Sequence, residues 1–308
     1  MAKEALRTAI GDQASVRALK DGDVVPDGHR LAFEPVTAIV PVFRRMVREL
    51  PFDVSEMAFS TYLCAREHGV PFTALPLFLV RGLHHGAILT AGVTRPADLE
   101  GRRVGVNRGY TVTTGVWARG ILQDEHGVDL HRITWVPSDD EHVTSYKTPP
   151  EVAPFEPRRD LADLLVAGDL AAVAGAPFER AGVAPLIPDP EAAALAALRD
   201  RGFYPINHLV VVRDDVLAAR PDLAPALFHA FAEAKRRYLG RLGDTGGGKT
   251  ERLHRAVSGV TGDPLPHGIA PNRAMIDLMV EHCLSQGILD TRVTAEEIFP
   301  PSTHDLVG

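Results

Sequence analysis

An arginine and two histidines close the most apolar stretch of the chain: residues 72–80 run into Arg81, and His84 and His85 follow shortly after. An arginine ending a buried strand offers a planar, bidentate fork to a carboxylate, set against the plainer reading of a surface arginine. Adjacent residues on a strand point to opposite faces, so His84 and His85 cannot grip one ion with both rings, and neither HExxH nor His-x-His occurs. A divalent metal held by the dispersed residues His85, His208, Asp12 and Glu56 stays open. A second place with anion-binding character is Gly109-Tyr110-Thr111-Val112-Thr113-Thr114. There, hydroxyls and free N–H groups gather at a predicted helix start, although ordinary capping needs only one hydroxyl.

Other residue groups carry less. Residues 243–250 match the phosphate-loop pattern GxxxxGK[ST] letter for letter. That motif needs a strand feeding the loop, and the residues before it, 230–242, have a helical composition, so a helix–helix connection is expected. Cys64 and Cys283 show no CxxC or zinc spacing and read as buried, reduced thiols. Of the thirteen histidines, most read as solvated surface, among them His29, His126, His131, His142, His254 and His304.

The elements that must position these groups follow from periodicity. Strands are predicted at 6–10, 31–36, 52–57 and 72–80, with helices through Ile39, Phe43, Met46 and Leu50 and over 60–68, the latter stopped by Gly69. This βαβαβ run predicts parallel strands that present ligands at their carboxyl ends. A second series uses a strand at 103–106, a helix from Thr113 or Thr114 through Gln123, a strand at 133–136, a helix at 161–166 and a strand at 170–174. Residues 147–157 hold four prolines and form a loop between elements of that series. A strand at 207–212 precedes a mostly helical remainder.

Composition narrows the function classes. With 308 residues, 45% of them hydrophobic, the chain has material for one or two cored domains. A net charge of −7 argues against nucleic acid or an anionic membrane as the main partner, so an anionic ligand must be held by a local cluster. No apolar run reaches membrane-spanning length, and MAKEALRTAIGDQ has no signal-like apolar core, so a cytoplasmic location is expected.

Several segments, taken in order, resemble one family: Ala9-Ile10-Gly11-Asp12, Phe52-Asp53-Val54-Ser55-Glu56-Met57, Ser60-Thr61-Tyr62-Leu63, Arg81 with His85, Val116-Trp117-Ala118-Arg119-Gly120, and Tyr204-Pro205-Ile206-Asn207-His208. The tail adds His267-Gly268-Ile269, Asn272-Arg273 and Gln286-Gly287. Together they resemble the 4,5-dihydroxyphthalate decarboxylases, which look like cytoplasmic relatives of the type II periplasmic solute-binding proteins. The resemblance implies an α/β, two-lobed fold with mainly parallel sheets and two crossover strands, near 85–90 and 203–208. One lobe would comprise 1–88 and 207–308, the other 89–206, with the ligand in a cleft between them. Three departures stand out: His84 replaces an arginine and Gly86 a serine of the usual pattern, and Thr111 takes the place of a glutamine.

The expected activity is cofactor-independent decarboxylation of a hydroxylated aromatic acid by ring protonation and CO2 loss. Arg81 would clamp the carboxylate and His85 would lead as general acid, while Glu56 or His208 would orient that imidazole or take the phenolic proton. Asp12, Ser60, His84, Tyr110, Thr111, Thr113, Thr114, Trp117 and His267 would bind substrate. The partner is a small anionic aromatic molecule, and a homo-oligomer stays open. The alternatives are a non-catalytic small-molecule binding protein of the transporter type and a metal-assisted lyase or hydrolase built on the histidines.

Overall fold

The computed structural model describes residues 4–156, 160–176 and 178–308; Pro157, last of the predicted proline-rich loop, lies outside them, as do the first three residues. The described strands are β1 (Leu6–Ala9), β2 (Leu31–Phe33), β3 (Val54–Ala58), β4 (Phe72–Arg81), β5 (Ile88–Thr90), β6 (Arg103–Val106), β7 (Thr134–Pro137), β8 (Ala172–Ala174), β9 (Ala184–Pro185) and β10 (Ile206–Arg213). Contacts divide the chain into two units. The first is Met1–Arg81, Ile206–Asp277 and Val293–Gly308; the second is Gly82–Pro205 and Leu278–Arg292.

The sheet of the first unit has the order β2-β1-β3-β10-β4. β1 runs parallel to β2 and β3, as the βαβ pattern predicts, but β10 lies antiparallel between β3 and β4. The register gives the reason: Ile206, where the chain re-enters this sheet, pairs with Arg81, where it left. A strand returning at the edge from which its neighbour departed must run the other way. β4 is almost continuously apolar, as suits a strand covered on both faces. Leu209 pairs with Phe78 and Val210 with Leu75, so Pro76 and Leu77 fall out of register; Pro76 has no ladder N–H to give, and its carbonyl accepts the Gly268 N–H instead at 2.8 Å. The helix Ile39–Glu49 buries Val42, Phe43, Met46 and Val47 as one stripe.

The sheet of the second unit has the order β7-β6-β8-β5-β9, with β6 parallel to β7 and β8 and β5 antiparallel to β8 and β9. The helix Thr113–His126 ends on Gly127, whose left-handed φ of 63° lets its N–H reach the Gln123 carbonyl. Residues 278–292, placed by sequence with the first lobe, group with this unit. Gln286 accounts for this, because it takes the Arg119 Nε–H at 2.7 Å and donates to the Val116 carbonyl at 3.1 Å.

Other differences have local causes. The helix Pro190–Arg201 carries alanine at five of its twelve positions and shows no apolar stripe, so periodicity does not mark it; Asp189 caps it by accepting the Ala192 N–H. His85 lies in a 3-10 turn, His85–Ala87, rather than on a strand, so the argument from alternating strand faces does not apply to it. His29, His142 and His254 are buried rather than solvated; His29 pairs with Asp222 at 3.2 Å and His254 with the Tyr238 hydroxyl at 2.8 Å. Residues 243–248 join the helices Leu223–Leu239 and Lys249–Thr261, so no strand feeds the phosphate-like loop.

Candidate functional site

In the first unit the chemistry gathers on Glu56. Its side chain is 0% exposed, and its Oε1 stands 2.6 Å from Nδ1 of His208, whose side chain is 20% exposed. Val210 lies opposite Glu56 and His208 opposite Ala58, which makes His208 the diagonal neighbour of Glu56 across an antiparallel pair. The Phe43 ring meets the imidazole edge-on at 4.9 Å. With Nδ1 committed to Glu56, the Nε2 of His208 has no hydrogen-bond partner among the described residues.

Two further groups complete the carboxylate's surroundings. The Gly11 N–H donates to Oε2 at 2.8 Å, and the Gln13 Nε2 donates to both oxygens at 2.9 and 2.8 Å. Both residues follow the C-terminal end of β1, beside β3, at the carboxyl edge of the parallel strands. Burial alone pushes the Glu56 pKa up, but His208, Gln13 and the Gly11 N–H together outweigh it and leave the carboxyl below its ordinary value of 4.5. The result is an ionised carboxylate that fixes the orientation of the His208 imidazole.

Arg81, 7% exposed, donates through Nη2 to Asn272 Oδ1. Asn272 is held for this by its own amide protons, which go to the carbonyls of Pro266 at 2.9 Å and Gly268 at 2.7 Å. His267 accepts the Phe78 N–H at Nδ1; burial first, then Lys235 and Arg81, hold its pKa well below 6.5, so it is a neutral, structural imidazole. Asp12 turns its carboxylate to Arg17 at 3.1 Å and Lys20 at 3.6 Å. Ser60 is fully buried in the first turn of the helix Phe59–Glu67.

In the second unit the loop before the helix Thr113–His126 is already occupied by the carboxyl group of Glu141. The N–H groups of Tyr110 and Thr111 and the Thr111 hydroxyl, at 2.6 Å, all donate to it. Gly109 allows the approach, since a Cβ there would lie 2.6 Å from Glu141 Oε2. Beneath the loop, the fully buried Arg119 gives Nη2 to the Tyr110 carbonyl at 2.7 Å and stacks 3.9 Å from the centre of the Tyr110 ring. Tyr110 thus packs as a platform, and Trp117 is core, edge-on to Phe203 and His282. Thr113 is buried, Thr114 half-buried, and His84 precedes the 3-10 turn at His85.

His85 is 1% exposed; its Nε2 meets both Glu125 oxygens at 3.1 Å, its ring packs edge-on to Phe203, and burial draws its pKa below 6.5 despite Glu125. Glu125, itself paired with Arg201 at 2.5 Å, is the residue that orients it. So the structure joins Glu56 with His208 in one unit and His85 with Glu125 in the other. Among the described residues, no group of three or more His, Cys, Asp or Glu side chains is arranged to hold a metal ion. Sequence reasoning missed Gln13, Glu125 and Glu141 as partners. For Gln13 a signal existed, its place just past a strand's carboxyl edge, whereas Glu141 and Glu125 come to their partners only through tertiary contacts.

No protein-family model matches the chain. It is 31% identical to a 4,5-dihydroxyphthalate decarboxylase of Comamonas testosteroni over 98% of this chain and 98% of that protein. A 4,5-dihydroxyphthalate decarboxylase of Pseudomonas putida is 33% identical over 44% of this chain and 54% of its own length. Among solved structures, the periplasmic aliphatic sulphonate binding protein of Escherichia coli matches with a TM-score of 0.54 at 12% identity, covering 98% of this chain and 93% of that one. That likeness establishes the periplasmic-binding-protein fold. Among the described residues, no helix is long and apolar enough to cross a membrane.

Proposed function

The chain belongs to the family of 4,5-dihydroxyphthalate decarboxylases, and from that premise we propose that it removes CO2 from a hydroxylated aromatic acid of the 4,5-dihydroxyphthalate type, with His208 as the proton donor. The observation that carries the assignment is the buried Glu56 carboxylate 2.6 Å from Nδ1 of a partly exposed His208 whose Nε2 has no hydrogen-bond partner among the described residues.

The chemistry follows from the ring. In 4,5-dihydroxyphthalate each carboxyl-bearing carbon is para to a hydroxyl, which pushes electron density onto that carbon. The imidazolium Nε2–H of His208 gives its proton to the carbon, and the bond to the carboxylate breaks. CO2 leaves, and the bonding pair restores the aromatic ring, so one imidazolium proton replaces one carboxylate. Glu56 holds the imidazole ring in place for the transfer. No cofactor is needed, because the ring itself holds the electron pair. Arg81 remains the proposed cation for a substrate carboxylate. The ligand is a small aromatic anion and the location cytoplasmic, which the two buried, reduced cysteines, Cys64 and Cys283, support.

The test is CO2 release from a panel of hydroxybenzoic and hydroxyphthalic acids, with binding of each followed in parallel. Turnover should require a hydroxyl ortho or para to the lost carboxylate. His208→Asn should lower kcat by about 10²-fold or more while leaving binding nearly intact. Tight binding of one acid with no turnover across the panel would replace the enzyme reading with that of a solute-binding protein.

A further inference from the structure

Gln13 holds a polar atom that the protein does not use. Glu56 is ionised and its oxygens only accept, so the amide of Gln13 must turn its NH2 group to them, as its contacts of 2.9 and 2.8 Å show. That choice leaves Oε1 on the other side of the amide. Oε1 is buried and has no hydrogen-bond partner among the described residues. Buried amide oxygens without a donor are uncommon, and each calls for a reason.

The position supplies one. Gln13 Nε2 and His208 Nδ1 both reach the same oxygen, Oε1 of Glu56, so the amide is one carboxylate away from the proposed proton donor. Gln13 also begins the 3-10 turn Ala14–Val16 directly after the end of β1, and the Val16 N–H returns to its carbonyl at 3.1 Å, which anchors its backbone. The missing partner must be a donor. A substrate carboxylate is ionised and can only accept, so on a hydroxylated aromatic acid the one group able to donate is a phenolic O–H.

We propose that Gln13 is a specificity-determining residue: its Oε1 accepts a hydrogen bond from a ring hydroxyl of the substrate while its NH2 group donates to Glu56. This rests on the substrate class and site proposed above. The amide thus places recognition of the hydroxyl one hydrogen bond away from the carboxylate that orients His208. A ring without a hydroxyl leaves Oε1 buried and unpaired and binds less well for that reason.

The test compares affinities for two probes, 4,5-dihydroxyphthalate and phthalate, in the wild-type protein and in Gln13→Met, by equilibrium titration. The wild type should favour the dihydroxy acid by about tenfold. In Gln13→Met that preference should fall to near one while the phthalate affinity stays nearly unchanged; the unfolding midpoint drops through the lost contact to Glu56, and a midpoint still well above the assay temperature separates loss of the acceptor from loss of the fold. An unchanged preference in Gln13→Met, with CO2 release by the wild type intact, overturns the Gln13 assignment alone. Loss of the preference in a protein that never releases CO2 overturns the enzyme reading and upholds Gln13. Binding of neither probe by the wild type overturns both.

Discussion

Gly11 lies close against Glu56, so that any side chain would crowd it: a Cβ built on Gly11 lies 3.1 Å from Glu56 Oε2 and 2.9 Å from Gln13 Nε2. The approach lets the Gly11 N–H donate to the carboxylate at 2.8 Å. Gly11→Ala therefore displaces the flexible Gln13 amide first. We expect kcat/KM to drop about tenfold, with a loss of stability near ~1 kcal/mol, the low end for overpacking, because Gln13 can move. Steady-state kinetics and denaturant unfolding of the one variant check both; a large stability loss with unchanged kinetics would contradict it.

Acid should weaken the fold through Glu56. Burial raises its pKa, but His208, Gln13 and Gly11 bring it below 4.5 in the folded protein. The stability this contributes is complete above 4.5 and is lost as pH falls through the lower folded value. Unfolding free energies measured from about pH 3 to 6 should show a shallower acid loss in Glu56→Gln than in the wild type.

Glu141 should act in the opposite sense. Burial raises its pKa above 4.5 and outweighs the Thr111 hydroxyl and the N–H groups of Thr111 and Tyr110. The folded state then holds this proton more tightly than the unfolded chain, so its contribution is greatest below 4.5 and declines as pH rises through the raised value. Glu141→Gln should remove that decline, seen as a flatter midpoint-against-pH curve just above 4.5.

Arg119 and Gln286 form a pair that is costly to break and cheaper to replace. Arg119 is fully buried, and its Nε–H goes to Gln286 at 2.7 Å. Gln286→Leu strands part of a buried cation and should cost about 2–3 kcal/mol. Adding Arg119→Met should restore part of that loss, since an apolar pair leaves no charge unsatisfied at this contact. Equilibrium unfolding of the single and double variants tests this, and a double variant less stable than Gln286→Leu would refute it.

How far the site was legible in sequence depends on how its residues are held. β1, β4 and the helix Thr113–His126 stand close to where apolar runs, turn glycines and helix starts predict them. Glu56, His208 and Arg81 are the right residue types at strand positions, so they could be picked out as chemically capable. Their partners could not be assigned. His85 was paired in prospect with Glu56 or His208, yet its imidazole goes to Glu125 in the helix Thr113–His126, and Glu56 goes to His208. The loop at Gly109 reads as an anion site, but only the fold shows Glu141 in it.

Sequence by itself determined the α/β character, the strand and helix segments, the family and the set of ionisable residues, because these follow from local periodicity, turn chemistry and ordered motifs along the chain. Tertiary structure alone decided that β10 runs antiparallel between β3 and β4 and that His208 therefore meets Glu56 across 152 residues of sequence. Strand direction is set by where the chain re-enters the sheet. The meeting of two side chains depends on register between distant strands, and neither leaves a mark in any local window.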